Sequence, residues 1–271
     1  MEIFGYQFFQ NALIGSLLAS VACGIIGTYV VTRRLVFISG GITHSSFGGV
    51  GLGMYLGINP LLTAFAFAAV SALGVQCMGM KKEVREDSAI ALFWILGMSL
   101  GIIFCFLSPG YNTELSTYLF GNILTVTSND IAMLAIISAL LLLLNIPFYR
   151  TIILVAFDRE FAAARGVPVA LFERIMMLAI ATTIVATLRL VGVVLVISML
   201  TVPQMTAMLF TFDYKKIMVL SVIFGFSASL MGLLLSYAID TPSGATIVLC
   251  SIIIYATCKA CITFIKKLLN L

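Results

Sequence analysis

The chain has 271 residues, of which 62% are hydrophobic and 10% charged, and its mean hydropathy is +1.17. A water-soluble fold must cover its outside with polar side chains, and this composition cannot, so a soluble domain is excluded; in lipid the exterior can be as apolar as the core. The net charge of +4 does not point to nucleic acid, because the basic residues form short clusters between apolar runs, the pattern of membrane topology.

A helix that crosses the hydrocarbon needs about 20 mostly apolar residues. From Met1 to Asn11 the chain is acidic at Glu2 and lacks a basic leader, so no cleavable signal peptide is expected. Apolar runs of spanning length then fall at 11–32, 36–57, 60–78, 88–107, 130–149, 171–188, 192–211, 217–238 and 244–265. The expectation is an all-α, polytopic integral membrane protein of about nine transmembrane helices, with 1–271 forming a single domain. Between the fourth and fifth runs stand Pro109, Gly110, Asn112 and Glu114, then a short apolar piece from Tyr118 to Val126. That piece is too short to cross and is expected to lie at the interface or re-enter the bilayer.

An odd number of spans puts the termini on opposite sides. With the N-terminus outside and the C-terminus in the cytoplasm, every basic residue except Arg189 falls on the cytoplasmic side or in the cytoplasmic half of the last span. The 11 acidic residues all fall in loops or at span edges. A carrier coupled to protons or sodium ions usually keeps a carboxylate at mid-membrane, so its absence lowers the ion-coupled secondary transporter reading. Glu114, Asp130 and Asp240 lie toward the outer face, where carboxylates either attract a cation or are simply solvated. The six cysteines sit within or near apolar runs and are expected to act as small hydrophobes.

The longest cytoplasmic loop, 156–168, contains a helix with both ends marked. Asp158 can cap its start, Glu160 to Arg165 are strong helix formers, Gly166 suits a left-handed end, and Pro168 blocks continuation. A short, firmly ended helix between two spans is either an ordinary interfacial loop or a lever for a partner protein.

These residues resemble a known family. The Asp-x-Glu-x-Ala-x-x-x-Gly-Val-Pro pattern from Asp158 to Pro168 is similar to the coupling loop of permeases from zinc, manganese and iron ABC importers. Further segments agree in the same order: Arg33-Arg34-Leu35-Val36-Phe37 with Thr43-His44-Ser45, Glu86-Asp87-Ser88-Ala89-Ile90, Tyr118-Leu119-Phe120-Gly121, Val191-Gly192-Val193-Val194-Leu195, Pro203-Gln204-Met205-Thr206-Ala207, and Pro242-Ser243-Gly244-Ala245. The resemblance implies an ABC importer permease fold in a bacterial inner membrane. It also implies a homodimer, a cytoplasmic ATP-binding subunit and an extracytoplasmic metal-binding protein. Asp158, Arg159, Glu160, Ala162 and Gly166 would couple to the ATPase. This chain would hold no cofactor of its own, ATP being bound by the partner subunit, and would not be an enzyme. It has no Gly-x-x-x-x-Gly-Lys-Ser/Thr phosphate loop. The cargo would be a divalent metal ion, with a metal chelate as the competing cargo.

His44 is the only histidine. On its own it reads equally as a metal ligand or as a side chain bonded to a carbonyl for packing. The resemblance puts it on the metal path, with Ser45 or a carbonyl as a candidate second donor. Many family members carry an Asp just upstream, where this chain has Gly40 and Gly41, which leaves the metal undecided. Glycines at 49, 53 and 57 form two Gly-x-x-x-Gly pairs, expected to mark a close helix contact. Pro203, beside Gln204, is expected to kink its span and either expose polar backbone to a path or serve packing. Gly97-Met98-Ser99-Leu100-Gly101 matches a hydrolase pattern but lies inside a span, where the glycines better fit packing. Cys258-Lys259-Ala260-Cys261 is near the end of the last span, a poor place for redox chemistry.

Overall fold

The computed structural model describes residues 6–80, 85–108, 121 and 123–268. Its helices are α1 (Gln7–Thr32), α2 (Val36–Leu56), α3 (Pro60–Met80), α4 (Glu86–Leu107), α5 (Ser128–Phe157), α6 (Arg159–Ala164), α7 (Val169–Met199), α8 (Val202–Met208), α9 (Tyr214–Ile239) and α10 (Ser243–Leu268). One 3-10 turn, Ile123–Thr125, precedes α5, and no strand occurs among the described residues. The short apolar piece 118–126 lies mostly outside the described residues; Gly121 and this turn are the parts that can be placed.

Eight segments are long and apolar enough to cross a membrane, α7 contributing one before Leu188 and sharing another with α8. Helix α2 makes the ninth: its 21 residues are long enough, but glycine, serine, threonine and histidine replace the leucines found elsewhere. Eight of the nine expected spans thus meet the length and hydropathy of a crossing helix among the described residues, and α2 stands where the other was expected, with two differences in detail. Helix α5 runs through Pro147 to Phe157 rather than ending near 149. Proline removes one helical hydrogen bond, which a membrane helix absorbs through its neighbours. Helix α7 reverses at Gly192, whose φ of 72° and ψ of 166° are not helical. Leu190 lies against Gly15 of α1 and the Leu200 carbonyl against Gly27, so the chain climbs α1 to Leu190 and then returns along it. Gly121, also at positive φ, packs on the Val191–Gly192 backbone at this reversal. A Cβ at Gly121 would collide with that backbone, and Gly192 holds a φ/ψ pair that only glycine adopts readily.

The interior mixes an aliphatic core with small hydroxyl side chains, while the exterior is large and apolar, as lipid permits. Ile136, Leu140, Leu143 and Ile146 of α5 are exposed, whereas Ser16, Ser20, Thr28, Thr43 and Thr183 are buried. Each of those hydroxyls donates to the carbonyl one turn back in its own helix, which satisfies it without a partner helix. Carboxylates work at helix ends. Asp130 closes a capping box with Thr127, Asp158 caps α6, and Asp213 caps α9. Of the cysteines, Cys23, Cys105 and Cys250 are buried but Cys77 and Cys261 are exposed, so only part of the set fits the expected role of buried hydrophobe. A thiol pointing into lipid satisfies the same apolar composition, which is why composition could not separate the two.

Candidate functional site

Helix α2 runs through the interior between α3 and α4. It is buried almost continuously from Ile38 to Gly53, with half-buried breaks at His44 and Leu52. The imidazole stacks on Trp94 of α4, with ring centroids 4.2 Å apart and planes 8° from parallel. Phe37 extends the ring group, 6.5 Å from Trp94. Nδ1 of His44 is buried and has no hydrogen-bond partner. The packing alternative, a histidine bonded to a carbonyl, is therefore not what Nδ1 does here. An unpartnered buried nitrogen on an aligned ring costs stability and asks for an occupant.

Ser45 does not share this position. It is fully buried against Gly97 of α4, and its hydroxyl donates to the Ile42 carbonyl at 3.0 Å. Gly40 has only Ile197 Cδ1 near, 3.9 Å from where a Cβ would stand. Gly41 instead packs on Ile90. No group of three or more His, Cys, Asp or Glu side chains that could enclose an ion occurs among the described residues.

Glycines hold α2 in place. Gly49 and Gly53 meet Thr63, Ala64 and Pro60 of α3; Gly51 meets Gly101 of α4; and Gly97 of α4 meets Ser45. The first Gly-x-x-x-Gly pair thus forms the expected close contact, and the Gly97–Gly101 pair does the same on the other side. Gly57 does not: it is the left-handed C-cap of α2, with open space around it. Its position one turn past Gly53 mimicked a packing pair, whereas it ends the helix.

The second polar interior position is a broken helix. The return limb of α7 ends at Leu200, Thr201 departs from helical geometry, and Pro203 sits in the first turn of α8. Gln204, fully buried, donates from Nε2 to the Cys23 carbonyl of α1 at 2.8 Å and the Met199 carbonyl at 3.2 Å. Its amide thus ties the turn after the break to the last turn before it and to α1, and Gln204 braces the kink from within the packed core.

At the opposite end of α2 from Gly57, α6 stands between α5 and α7. Asp158 accepts from Phe161 N at 2.9 Å and so caps it. Ala162 packs inward on Val155 and Val169. Gly166 ends the helix at φ 76° with nothing within 4 Å of a would-be Cβ. Glu160, Phe161, Ala163, Ala164 and Arg165 are exposed, and the Arg165 guanidinium lies 5.1 Å from the Phe161 ring centroid. Arg159 forms an ion pair with Glu173 of α7 at 3.4 Å, and Arg33 pairs with the same acid at 3.0 Å. Sequence reasoning missed Glu173, because a lone acid early in a span reads as an interfacial charge. It also missed Trp94, although a single tryptophan in 271 residues was a visible signal. Asp130, considered for metal entry, has its carboxylate in its capping box, and Asp240 is the left-handed C-cap of α9. Glu114 lies outside the described residues.

The described residues form a polytopic bundle with a glycine-lined inner helix, a broken interior helix and a short capped helix exposed at one end. The chain belongs to the ABC 3 transport family, which its residues 5–262 match. It is 39% identical over 250 residues to an uncharacterized membrane protein of Synechocystis sp., covering 92% of this chain and 89% of that one. It is 32% identical over 255 residues to the manganese transport system membrane protein MntC of Halalkalibacterium halodurans, covering 94% and 87%. Among solved structures it is similar to PsaBC from Streptococcus pneumoniae in complex with Fab, with a TM-score of 0.86 and 28% identity over 95% of this chain and 92% of that one.

Proposed function

We propose that this chain is the translocating subunit of an ATP-driven importer of divalent metal ions, drawn from manganese, zinc and ferrous iron, with manganese favoured by the MntC relative. The observation that carries the reading is α6: a six-residue helix, capped by Asp158 and stopped at Gly166, that buries Ala162 and leaves its other faces open. A partner ATPase would grip the exposed face, with Glu160 and Arg165 as its polar contacts. Two copies of the chain would form the path, and an extracytoplasmic binding protein would deliver the ion. The clustered basic residues favour an external N-terminus and a cytoplasmic α6.

His44 would touch the ion in transit through one imidazole nitrogen. Imidazole suits borderline divalent metals, and a single donor per subunit keeps the stay short. Gln204 and Pro203 would hold the bend beside the path rather than line it, since Gln204 is fully buried.

The test is reconstitution with the ATPase and binding protein in vesicles, followed by uptake of manganese, zinc, ferrous ion and a metal chelate in competition. ATP-dependent uptake of a free ion is expected. Uptake by vesicles holding this chain alone, driven by a proton or sodium gradient, would replace this reading with an ion-coupled carrier. Preference for the chelate would keep the machine and change its cargo.

A further inference from the structure

We infer that Glu173 is a positioning residue that links the place of α6 to the start of α2. The inference rests on the reading of α6 as the ATPase contact. Three elements converge on this one carboxylate, which is 8% exposed. Its Oε1 accepts from Arg33 Nη2 at 3.0 Å, and its Oε2 lies 3.4 Å from Arg159 Nη2 of α6. The other terminal nitrogen of Arg33, Nη1, donates to the Val155 carbonyl at 3.3 Å, in the last turn of α5 just before α6 begins. The contacts close a ring: α5 leads into α6, α6 binds Glu173, Glu173 binds Arg33, and Arg33 returns to α5.

Arg33 is also the C-cap of α1, and only Arg34 and Leu35 separate it from Val36, where α2 starts. That connection has no slack. Arg34 stands at φ 59°, a left-handed conformation rare for a residue with a Cβ. Arg34 N donates to the Val31 carbonyl at 3.1 Å and Leu35 N to the Val30 carbonyl at 2.8 Å. A shift of Arg33 is therefore passed to the first turn of α2, the helix that carries His44. The other hold on α6 is apolar, Ala162 on Val155 and Val169, and apolar contacts fix distance better than direction. A buried acid that accepts a hydrogen bond from Arg33 and pairs with the half-exposed Arg159 has a defined direction toward both, and the Arg33 bond is the one it can least lose. The linkage joins the exposed helix to the metal-path helix through side chains that touch neither ATP nor metal.

Two measurements test this. In vesicles with the ATPase and binding protein, Glu173→Gln keeps the shape and removes the charge. ATP hydrolysis is expected to stay within about twofold of the unmodified complex while metal moved per ATP falls roughly tenfold, and Glu173→Asp recovers part of the loss. A proportional loss of both activities, or no loss, overturns the inference. The second measurement needs no transport. Hydrogen exchange of the chain alone in nanodiscs is compared with that of Arg159→Ala, a change at an exposed side chain that the fold survives. The amides of 33–37 are expected to exchange roughly threefold faster although Arg159 contacts none of them. Unchanged exchange at 33–37 overturns the linkage whether or not the chain moves metal. Absence of ATP-driven uptake by the unmodified complex would instead overturn the importer reading and leave the exchange result to decide the linkage.

Discussion

Along α2 the neighbouring helices are held by missing side chains, whereas around α6 they are held by charged ones. Gly49, Gly51 and Gly53 let α2 touch the backbones of α3 and α4, while Arg33, Arg159 and Glu173 tie α6 to the ends of three helices. The difference follows depth in the bilayer. Inside the hydrocarbon, lipid tails are as apolar as leucine, so burying leucine gains little and close backbone packing has to supply the attraction. At the membrane edge water and headgroups reduce the cost of charge, and ion pairs can set geometry.

The largest test of this contrast is Gly51→Leu. A Cβ at Gly51 would meet the Gly101 backbone, which cannot give way as a side-chain tip can. The variant is expected not to accumulate as a folded protein, read as yield in membranes and as a monodisperse peak in detergent. Overpacking of even a methyl or two costs about 1–3 kcal/mol, and here a whole side chain is added. Normal yield would mean that α2 and α4 separate more easily than the packing implies.

Next in size is His44→Ala. Uptake is expected to fall roughly tenfold, as for loss of one charge-bearing contact of about 1.4 kcal/mol, while yield and thermal stability hold or improve, because the unpartnered Nδ1 is removed. Equal uptake would take His44 off the path. Stability lost in step with uptake would return it to packing.

A smaller effect is expected at the other region. Asp158→Ala removes the cap of α6 and should cost about 1 kcal/mol of local helix stability. It is read as faster amide exchange across 159–164 with no change along α2 beyond its first turn. Exchange that quickened in both regions equally would show that one cooperative unit holds them, and the contrast drawn above would fail.

How much of this was legible in the sequence follows the same division. The nine spans were legible because hydropathy over twenty residues is an additive signal. The cap at Asp158 and the stop at Gly166 were legible because both are local chemistry, decided within four residues. The reversal at Gly192 was hidden: Val-Gly-Val inside an apolar stretch looks like continuing helix, and only its φ of 72° and ψ of 166° show why glycine is required. The bond between Arg33 and Glu173 was hidden because it joins residues 140 positions apart. His44 could be singled out from the sequence, but its stacking on Trp94 depends on the register of α2 against α4, which no single-helix pattern contains.

The smallest expected effect sharpens the comparison within one helix. Gly40 and Gly51 both belong to α2, and by composition they are interchangeable. Gly51 faces α4, whereas a Cβ at Gly40 would find only Ile197 Cδ1 at 3.9 Å, an ordinary contact. Alanine is favoured over glycine in a helix by about 0.8–1.0 kcal/mol. Gly40→Ala should therefore leave the isolated chain as stable as before or slightly more stable in a thermal melt, and uptake should be unaffected. A destabilised melt of the assembled complex, beside an unchanged melt of the isolated chain, would mean that a second copy covers this face of α2. Gly40 would then be a packing glycine after all, facing a partner subunit instead of a neighbouring helix.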